Sequence, residues 1–76
     1  MDEYRTCDIS EAAYLFSSDA ELKDTERYGG KCTFVFSPEA ECEILAKEYW
    51  RGQGSVAPMK YANSFKTLKS LVYRGV

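Results

Sequence analysis

The sequence predicts a small α+β domain in which an antiparallel β-hairpin packs against helices, in the order helix, strand, strand, helix, helix. Three observations lead to this prediction. Apolar residues recur at helical spacing in three separate segments, and one short segment alternates with the period of two that is typical of a strand. Two adjacent glycines precede that strand, as in a tight hairpin. A chain of 76 residues is enough for one domain, so we expect these elements to share one core over residues 1–76.

The first helix is predicted to begin at Asp8. Asp8 is a favourable N-cap residue, and Glu11 stands three residues later, which is the spacing of a capping box. The apolar stripe of this helix consists of Ile9, Ala12, Ala13 and Phe16. Ser17-Ser18-Asp19 ends the helix. We expect residues 1–7 to be extended or partly disordered, with residues 4–6 available as a short third strand.

The hairpin is predicted from residues 31–36, the clearest strand of the chain. The residues on its apolar face are Cys32, Phe34 and Phe36. The turn is Tyr28-Gly29-Gly30-Lys31, since glycine tolerates the positive φ that tight hairpins need. The partner strand lies around residues 20–27. Asp24 and Glu26 indicate that this partner is an exposed edge.

The second helix is predicted from its N-terminal signals. Ser37 suits the cap, Pro38 suits the first helical position, and two glutamates follow in the first turn. Its apolar stripe consists of Cys42, Leu45, Ala46 and Tyr49. Residues 52–54, Gly-Gln-Gly, end it as a glycine C-cap.

The third helix begins near Pro58 and carries a narrow apolar seam. The seam consists of Tyr61, Phe65, Leu68 and Val72. We therefore expect the hairpin to pack against the helices through a shared set of large apolar side chains. The predicted core residues are Phe16, Phe34, Phe36, Leu45, Tyr49, Phe65 and Leu68.

The composition argues against an enzyme. The chain contains no histidine, which excludes Ser–His and Cys–His nucleophilic pairs and removes the commonest zinc ligand. The cysteines Cys7, Cys32 and Cys42 lack the close spacing of a metal site, and we expect buried, reduced thiols. Neither glycine pair has the strand-glycine-helix context of a nucleotide fingerprint. We therefore expect no enzymatic activity, no catalytic residue, no metal and no cofactor.

Charge is distributed unevenly along the chain. The net charge is −2, and all 12 acidic residues lie in residues 1–48, whereas residues 49–76 contain five basic residues and no acid. Such asymmetry is typical of a protein with an anionic partner. The alternative is that the basic end complements the acidic one within the fold or across a homodimer. The acidic N-terminus and the absence of a long apolar run lead us to expect a soluble, cytoplasmic protein without membrane contact.

Most basic residues of the third helix project away from its apolar seam, and Lys69 flanks the seam. With Asn63, they form a candidate face for nucleic acid or another anionic partner, which consists of Lys60, Asn63, Lys66, Lys69 and Arg74. A helix that follows another helix after a short turn loosely resembles the helix-turn-helix motif of DNA-binding proteins. Against nucleic acid, the chain as a whole is acidic, whereas DNA-binding domains usually carry net positive charge.

A second candidate surface lies on the second helix. Ile44 and Trp50 fall outside its apolar stripe, and Arg51 follows directly, so these three residues form a candidate protein-contact patch. Tryptophan and arginine are enriched at binding hot spots. The alternative for Trp50 is that it fills the core of a domain that is short of apolar mass.

Four segments carry a resemblance to a known family. They are Ala12-Ala13-Tyr14-Leu15, Phe34-Val35-Phe36, Tyr49-Trp50 and Leu68-Lys69-Ser70-Leu71-Val72-Tyr73. In their order and spacing the chain resembles a family of small uncharacterised prokaryotic and phage-borne domains. The resemblance spans most of residues 4–74, and it implies the fold and a prokaryotic or viral origin. It implies no activity and no functional residue.

The function that we expect from the sequence is a non-enzymatic protein-interaction or accessory module. Its partner would be an unidentified protein or a second copy of the chain. The alternative is a nucleic-acid-binding protein that uses the basic third helix. A more distant alternative is a phage-type inhibitor of host machinery, which would act through its charged surface.

Overall fold

The computed structural model describes residues 2–74. Over that range the chain forms three strands and three helices, and the predicted α+β order is confirmed, with a short strand in front of it. The elements are β1 (Tyr4–Thr6), α1 (Ile9–Ser17), β2 (Glu21–Tyr28), β3 (Lys31–Ser37), α2 (Glu39–Trp50) and α3 (Pro58–Arg74). The segment that precedes α1 therefore contributes to the sheet.

The described strands form one antiparallel sheet in the order β1-β3-β2. The strand with the strongest apolar alternation, β3, is accordingly the central one, and β2 is an edge as predicted. Gly29 and Gly30 have φ values of 54° and 84°, and Tyr28 pairs with Lys31 across them. Positive φ at both central residues is the type I′ pattern, which matches the twist of the flanking strands.

A bulge at Lys23 decides which side chains of β2 face the helices. Leu22 pairs with Phe36, but Asp24 pairs with Val35, so one extra residue lies between them. Without the bulge, the period of two would place Leu22 and Asp24 on the same face. The bulge keeps Leu22 against the core and turns Asp24 to the opposite face of the sheet.

That opposite face carries charged side chains rather than a helix. The Arg5 guanidinium on β1 lies 3.3 Å from the Glu26 carboxylate on β2, and this ion pair spans the central strand. Hydrogen bonding to Glu26 raises the pKa of the Arg5 guanidinium. Val35, on the same face of β3, is only 1% exposed. The charged side chains of the two outer strands thus cover an apolar residue of the central strand.

The start of α1 differs from the capping box that the sequence predicts. Asp8 is the N-cap as expected, and its Oδ1 accepts the Glu11 N–H at 3.0 Å. The Glu11 carboxylate, however, accepts hydrogen bonds from Tyr4 Oη at 2.6 Å and Thr6 Oγ1 at 2.5 Å. Thr6 Oγ1 in turn accepts the Asp8 N–H at 3.1 Å. The reason is β1, which brings two hydroxyl groups to the glutamate and supplies the reciprocal cap from Thr6.

The start of α2 is also corrected. Ser37 is the last residue of β3, where it pairs with Glu21, and Pro38 takes the N-cap position instead of the first helical one. The end of α2 follows the prediction, since Gly52 has a φ of 74°. The Gln53 N–H donates to the Glu48 carbonyl at 2.8 Å, and the Gly52 N–H donates to the Tyr49 carbonyl at 3.1 Å. This pattern is a Schellman motif.

The core lies between the sheet and the three described helices. Its fully buried members are Ala12, Ala13, Leu15, Phe34, Phe36, Cys42 and Leu68. Three further predicted core residues, Phe16, Leu45 and Phe65, are half-buried at its edge. The seventh, Tyr49, is half-buried but does not belong to this cluster. The prediction did not include Leu15, which is buried because α1 contacts both other helices and β1. Most of the predicted core is therefore confirmed.

The expectation of three buried thiols is wrong for two of them. Cys42 is fully buried, Cys32 is half-buried and Cys7 is exposed. Cys7 follows β1, and its Sγ makes a 3.3 Å hydrogen-bond contact with Thr33 Oγ1 on β3. The period of two places Cys7 on the same side as Arg5, which is the face of the sheet away from the helices.

Candidate functional site

The outward face of α3 carries every residue of the predicted anionic-partner face. Lys60, Asn63, Lys66, Lys69 and Arg74 are all exposed. The opposite side of the helix is packed, with Ser64 and Leu68 buried. The structure thus places these five residues together on one helix, away from the core, and we call them the α3 face.

Most cations of the α3 face lack an acidic partner within the described part of the chain. Lys60 Nζ lies 3.1 Å from Asp19 Oδ1, at the end of α1. Lys69 Nζ lies 5.9 Å from the centre of the Tyr73 ring, a cation–π distance. Among residues 2–74, no carboxylate oxygen lies within 4.0 Å of the side-chain nitrogens of Lys66, Lys69 or Arg74. Within residues 2–74, direct ion pairing of the α3 face with the acidic half is therefore confined to Lys60.

An apolar recess opens beside two of these lysines. It has a volume of about 520 Å³ and is lined by Tyr61, Ala62, Phe65, Lys66 and Lys69. Phe65 and Tyr61 are half-buried, and their rings lie 6.3 Å apart. The recess thus combines an apolar floor with two ammonium groups at its edge, which suits a ligand that carries both an apolar group and carboxylates.

The residues of the predicted protein-contact patch on α2 line two separate recesses. Trp50 and Arg51 line a cleft of about 370 Å³ with Tyr4, Glu43, Ala46 and Lys47. Ile44 lines a different, smaller recess with Ser18, Glu41 and Leu45. Trp50 and Ile44 are 62% and 59% exposed, so the alternative that Trp50 fills the core is wrong. Six positions along a helix correspond to a rotation of about 240°, which is why the two side chains point in different directions.

A third feature, which the sequence did not predict as a site, is a pocket lined by three tyrosines. It has a volume of about 520 Å³, and it is lined by Tyr14, Tyr49, Gly52, Gly54, Ser55, Val56, Pro58 and Tyr61. The Tyr14 and Tyr49 rings lie 5.6 Å apart. These tyrosines come from three different helices, and each falls on or beside an apolar stripe. A core role was therefore the natural interpretation of each one taken separately.

Two of the phenol hydroxyls in this tyrosine pocket are already used as donors. Tyr14 Oη donates to Glu48 Oε1 at 3.4 Å, and Tyr61 Oη donates to the Ser10 carbonyl at 3.3 Å. Burial raises the pKa of the Tyr61 phenol, and the neighbouring Tyr49 raises it further. Both rings are thus held in place by their hydroxyls, and Tyr61 remains a neutral phenol near neutral pH.

A family model described as a domain of unknown function (DUF5659) matches residues 1–74. The chain belongs to the DUF5659 family. Neither the curated proteins nor the solved structures include a match to it. The resemblance to a family of uncharacterised domains is thereby confirmed, and the DUF5659 description assigns no role to any of the three surfaces.

The most buried carboxylate of this DUF5659 domain, that of Glu11, has a structural role. Glu11 is 5% exposed, and both of its oxygens accept hydroxyl hydrogen bonds, from Tyr4 and Thr6. Burial and the hydrogen bond to Glu11 raise the pKa of the Tyr4 phenol well above its usual value. This cluster connects β1 to α1, and the sequence signal for it was the spacing that suggested a capping box.

Residues 2–74 lack two features, a helix able to cross a bilayer and a cluster of metal-ligating side chains. No described helix has the length and apolar character that crossing a bilayer requires. In the same residues, no three side chains of the metal-ligating types come together in an arrangement that would hold an ion.

Proposed function

We propose that this domain is a non-enzymatic protein-interaction module whose α3 face binds an acidic segment of a partner protein. The observation that carries the proposal is the combination of Lys66, Lys69 and Arg74, which are exposed cations without an acidic partner in the described chain, with the apolar recess beside the two lysines. An amphipathic segment with carboxylates around one large apolar side chain would match both features. Burial of that side chain would contribute roughly 1.5–3 kcal/mol.

The chemistry of the chain supports a binding role over a catalytic one. The sequence contains no histidine. The α3 recess offers ammonium groups and apolar carbon, and its lining residues include no carboxylate, thiol or hydroxyl other than the phenol of Tyr61. Such a set of groups can attract and hold an anion, but it provides no nucleophile with an adjacent base.

The charge of the whole molecule favours a protein over a nucleic acid as the partner. The net charge is −2 and the isoelectric point is about 5.0, whereas domains that bind nucleic acid usually have an isoelectric point above ~9. A polyanion as long as a duplex would extend past α3 towards the acidic half of the chain. A short acidic segment would lie on the α3 face alone.

The test is a fluorescence-anisotropy titration with two labelled probes. One is a peptide in which glutamates surround one phenylalanine at helical spacing, and the other is a random-sequence duplex of about 15 base pairs, which at ~3.4 Å per base pair is longer than α3. The protein proposal expects saturable binding of the peptide, with weaker or no binding of the duplex. The double variant Lys66→Glu, Lys69→Glu should reduce peptide affinity at least tenfold, because it replaces attraction by repulsion at both edges of the recess.

The matched control is the double variant Lys31→Glu, Lys47→Glu. It changes the net charge by the same amount at exposed lysines outside α3, and it should bind the peptide nearly as the unmodified protein does. An equal loss in both double variants would mean that overall charge, not the α3 face, governs binding. No peptide binding by the unmodified protein at low salt would overturn the proposal.

Nucleic-acid binding is the second candidate, and the α3 face itself favours it. Lys60, Lys66, Lys69 and Arg74 suit phosphate contacts, and Asn63 has the donor and acceptor that can read an adenine. Duplex binding that falls steeply with salt, and that only the α3 variant abolishes, would favour this candidate. A second copy of the chain is another protein partner, and sedimentation velocity at several concentrations would detect it.

A further inference from the structure

The tyrosine pocket lies where α1, α2 and the start of α3 meet. Tyr14 comes from α1, Tyr49 from the last turn of α2 and Tyr61 from the first turns of α3. The wall is completed by Gly52, Gly54, Ser55, Val56 and Pro58. The loop sits close to one ring, since a Cβ added to Gly54 would lie 2.8 Å from Tyr14 ring carbons. Tyrosine side chains from three helices thus border one space at the surface of the domain, and Tyr14, at 4% exposed, is the most buried of the three.

The charge at the edge of this pocket is negative. None of its eight lining residues is charged, so no cation among residues 2–74 lines it. The Glu48 carboxylate lies at its edge, 3.4 Å from Tyr14 Oη. With one carboxylate at its edge and no charged side chain among its lining residues, the pocket would attract a cation and repel an anion.

The partial charges of the two helix ends at the pocket do not reverse the sign of its electrostatic potential. The C-terminus of α2 is next to Gly52 and carries a partial negative charge, whereas the N-terminus of α3 at Pro58 carries a partial positive one. Each is equivalent to about half an elementary charge, so the two largely cancel. The full charge of Glu48 therefore dominates. The hydroxyls of Tyr14 and Tyr61 already donate to Glu48 and Ser10, so they are not free to bind an anion.

We propose that the tyrosine pocket binds an alkylated ammonium group. The quadrupole of each tyrosine ring presents a negative face, and several rings around one space, with a carboxylate at its edge, are the arrangement that recognises quaternary and methylated ammonium ions in proteins. This inference is independent of the α3 face, because Tyr61 is the only residue that lines both the pocket and the α3 recess.

The chain contains its own reporter for this site. Trp50 is the only tryptophan. Its ring lies 5.0 Å from that of Tyr49, at an interplanar angle of 82°. A ligand that contacts Tyr49 should therefore alter the tryptophan emission, and the aromatic proton resonances of the three pocket tyrosines should shift with it.

The test compares two probes of the same shape. One is N-acetyl-trimethyllysine methylamide, and the other is its neutral isostere in which carbon replaces the charged nitrogen. The proposal expects saturable binding of the cation, detected by tryptophan emission and by tyrosine proton shifts. It expects roughly tenfold weaker binding of the isostere. Equal binding of the two probes would overturn the proposal and identify an apolar pocket. So would the absence of saturation by the cation up to about 10 mM, where even a millimolar ligand would be bound.

Variants assign the effect to the pocket. Tyr49→Phe should retain cation binding because the ring face remains, whereas Tyr49→Leu should weaken it by roughly tenfold. Glu48→Gln should weaken the cation and leave the neutral isostere unchanged. The matched control is Glu41→Gln, an equal charge change at an exposed position on the same helix, which should have little effect. The variant Lys66→Glu, Lys69→Glu should bind the cation normally, so this inference and the proposed function fail separately.

Discussion

At the scale of single residues, the carboxylate of Glu11 joins β1 to the first turn of α1. It is 5% exposed, and it accepts hydrogen bonds from the hydroxyls of Tyr4 and Thr6. A buried carboxylate is costly unless such donors surround it, so each hydroxyl should contribute more than an ordinary surface hydrogen bond does. Through this cluster, a three-residue edge strand is held against the helix layer.

We predict that Tyr4→Phe lowers the free energy of unfolding by about 1.5–3 kcal/mol at pH 7, since it removes a hydrogen bond to a charged group and leaves Glu11 with one hydroxyl donor. The loss should shrink above pH 10. The pKa of Tyr4 is raised in the folded state, so unfolded tyrosine loses its proton first and the stabilisation disappears as the pH rises towards the folded pKa. Urea unfolding between pH 7 and pH 11 measures both effects.

The control for this prediction is Tyr28→Phe. Tyr28 lies at the hairpin turn and is 70% exposed, so its hydroxyl can be removed with little effect at any pH. A constant difference between Tyr4→Phe and the unmodified protein across this pH range would contradict the assigned cause. An absence of destabilisation at pH 7 would show that the Tyr4–Glu11 hydrogen bond contributes nothing net.

At the scale of the elements, the link from α2 to α3 depends on one backbone conformation. Gly52 has a φ of 74°, and its N–H and that of Gln53 satisfy two carbonyls at the end of α2. A Cβ at Gly52 would meet no atom within 4 Å. The need for glycine is therefore conformational and not steric, and the direction in which the chain leaves α2 sets the position of α3.

We predict that Gly52→Ala destabilises the protein by about 1–2 kcal/mol, which is the cost of placing an L-residue in the left-handed region. Gly52→Asn should lose less, since asparagine tolerates that region better. Urea unfolding measures both values. Ser55→Ala, an exposed change in the same loop, is the control and should be nearly neutral. If Gly52→Ala were as neutral as Ser55→Ala, the Schellman turn would have no role in stability.

The secondary-structure elements also show which features of the fold could be predicted from the sequence. Periodicity predicted the helices and the hairpin because burial of one face leaves a repeating signal, as in α3, where Leu68 is fully buried. Pairing of β1 with β3 and the bulge at Lys23 left no such signal, since both depend on partners distant in sequence. The exposed position of the α3 face could be predicted from its charges and their helical spacing relative to the apolar seam. The tyrosine pocket could not, because its rings come together only through tertiary packing.

At the scale of the whole molecule, the domain has a helix layer on one face of a thin sheet. Its extents are 32 × 30 × 18 Å, and the smallest one corresponds to these two layers. The opposite face of the sheet carries the Arg5–Glu26 ion pair and exposes Cys7. Cys42, in contrast, lies in the core between the layers and is 0% exposed. Cys7 and Cys42 therefore differ in solvent access, since the first thiol is exposed and the second is buried.

We predict that a disulfide reagent modifies Cys7 readily in the native protein and modifies Cys42 only when the core opens. Burial raises the pKa of the Cys42 thiol, so burial limits both access and thiolate formation. In the variant Cys7→Ser, Cys32→Ser, modification of Cys42 should be at least roughly a hundredfold slower than that of Cys7 in the variant Cys32→Ser, Cys42→Ser. Urea below the unfolding midpoint should accelerate only the Cys42 reaction, with the slope of global unfolding. A Cys42 rate that equals the Cys7 rate, or that does not respond to urea, would mean that the two layers separate locally without unfolding of the domain.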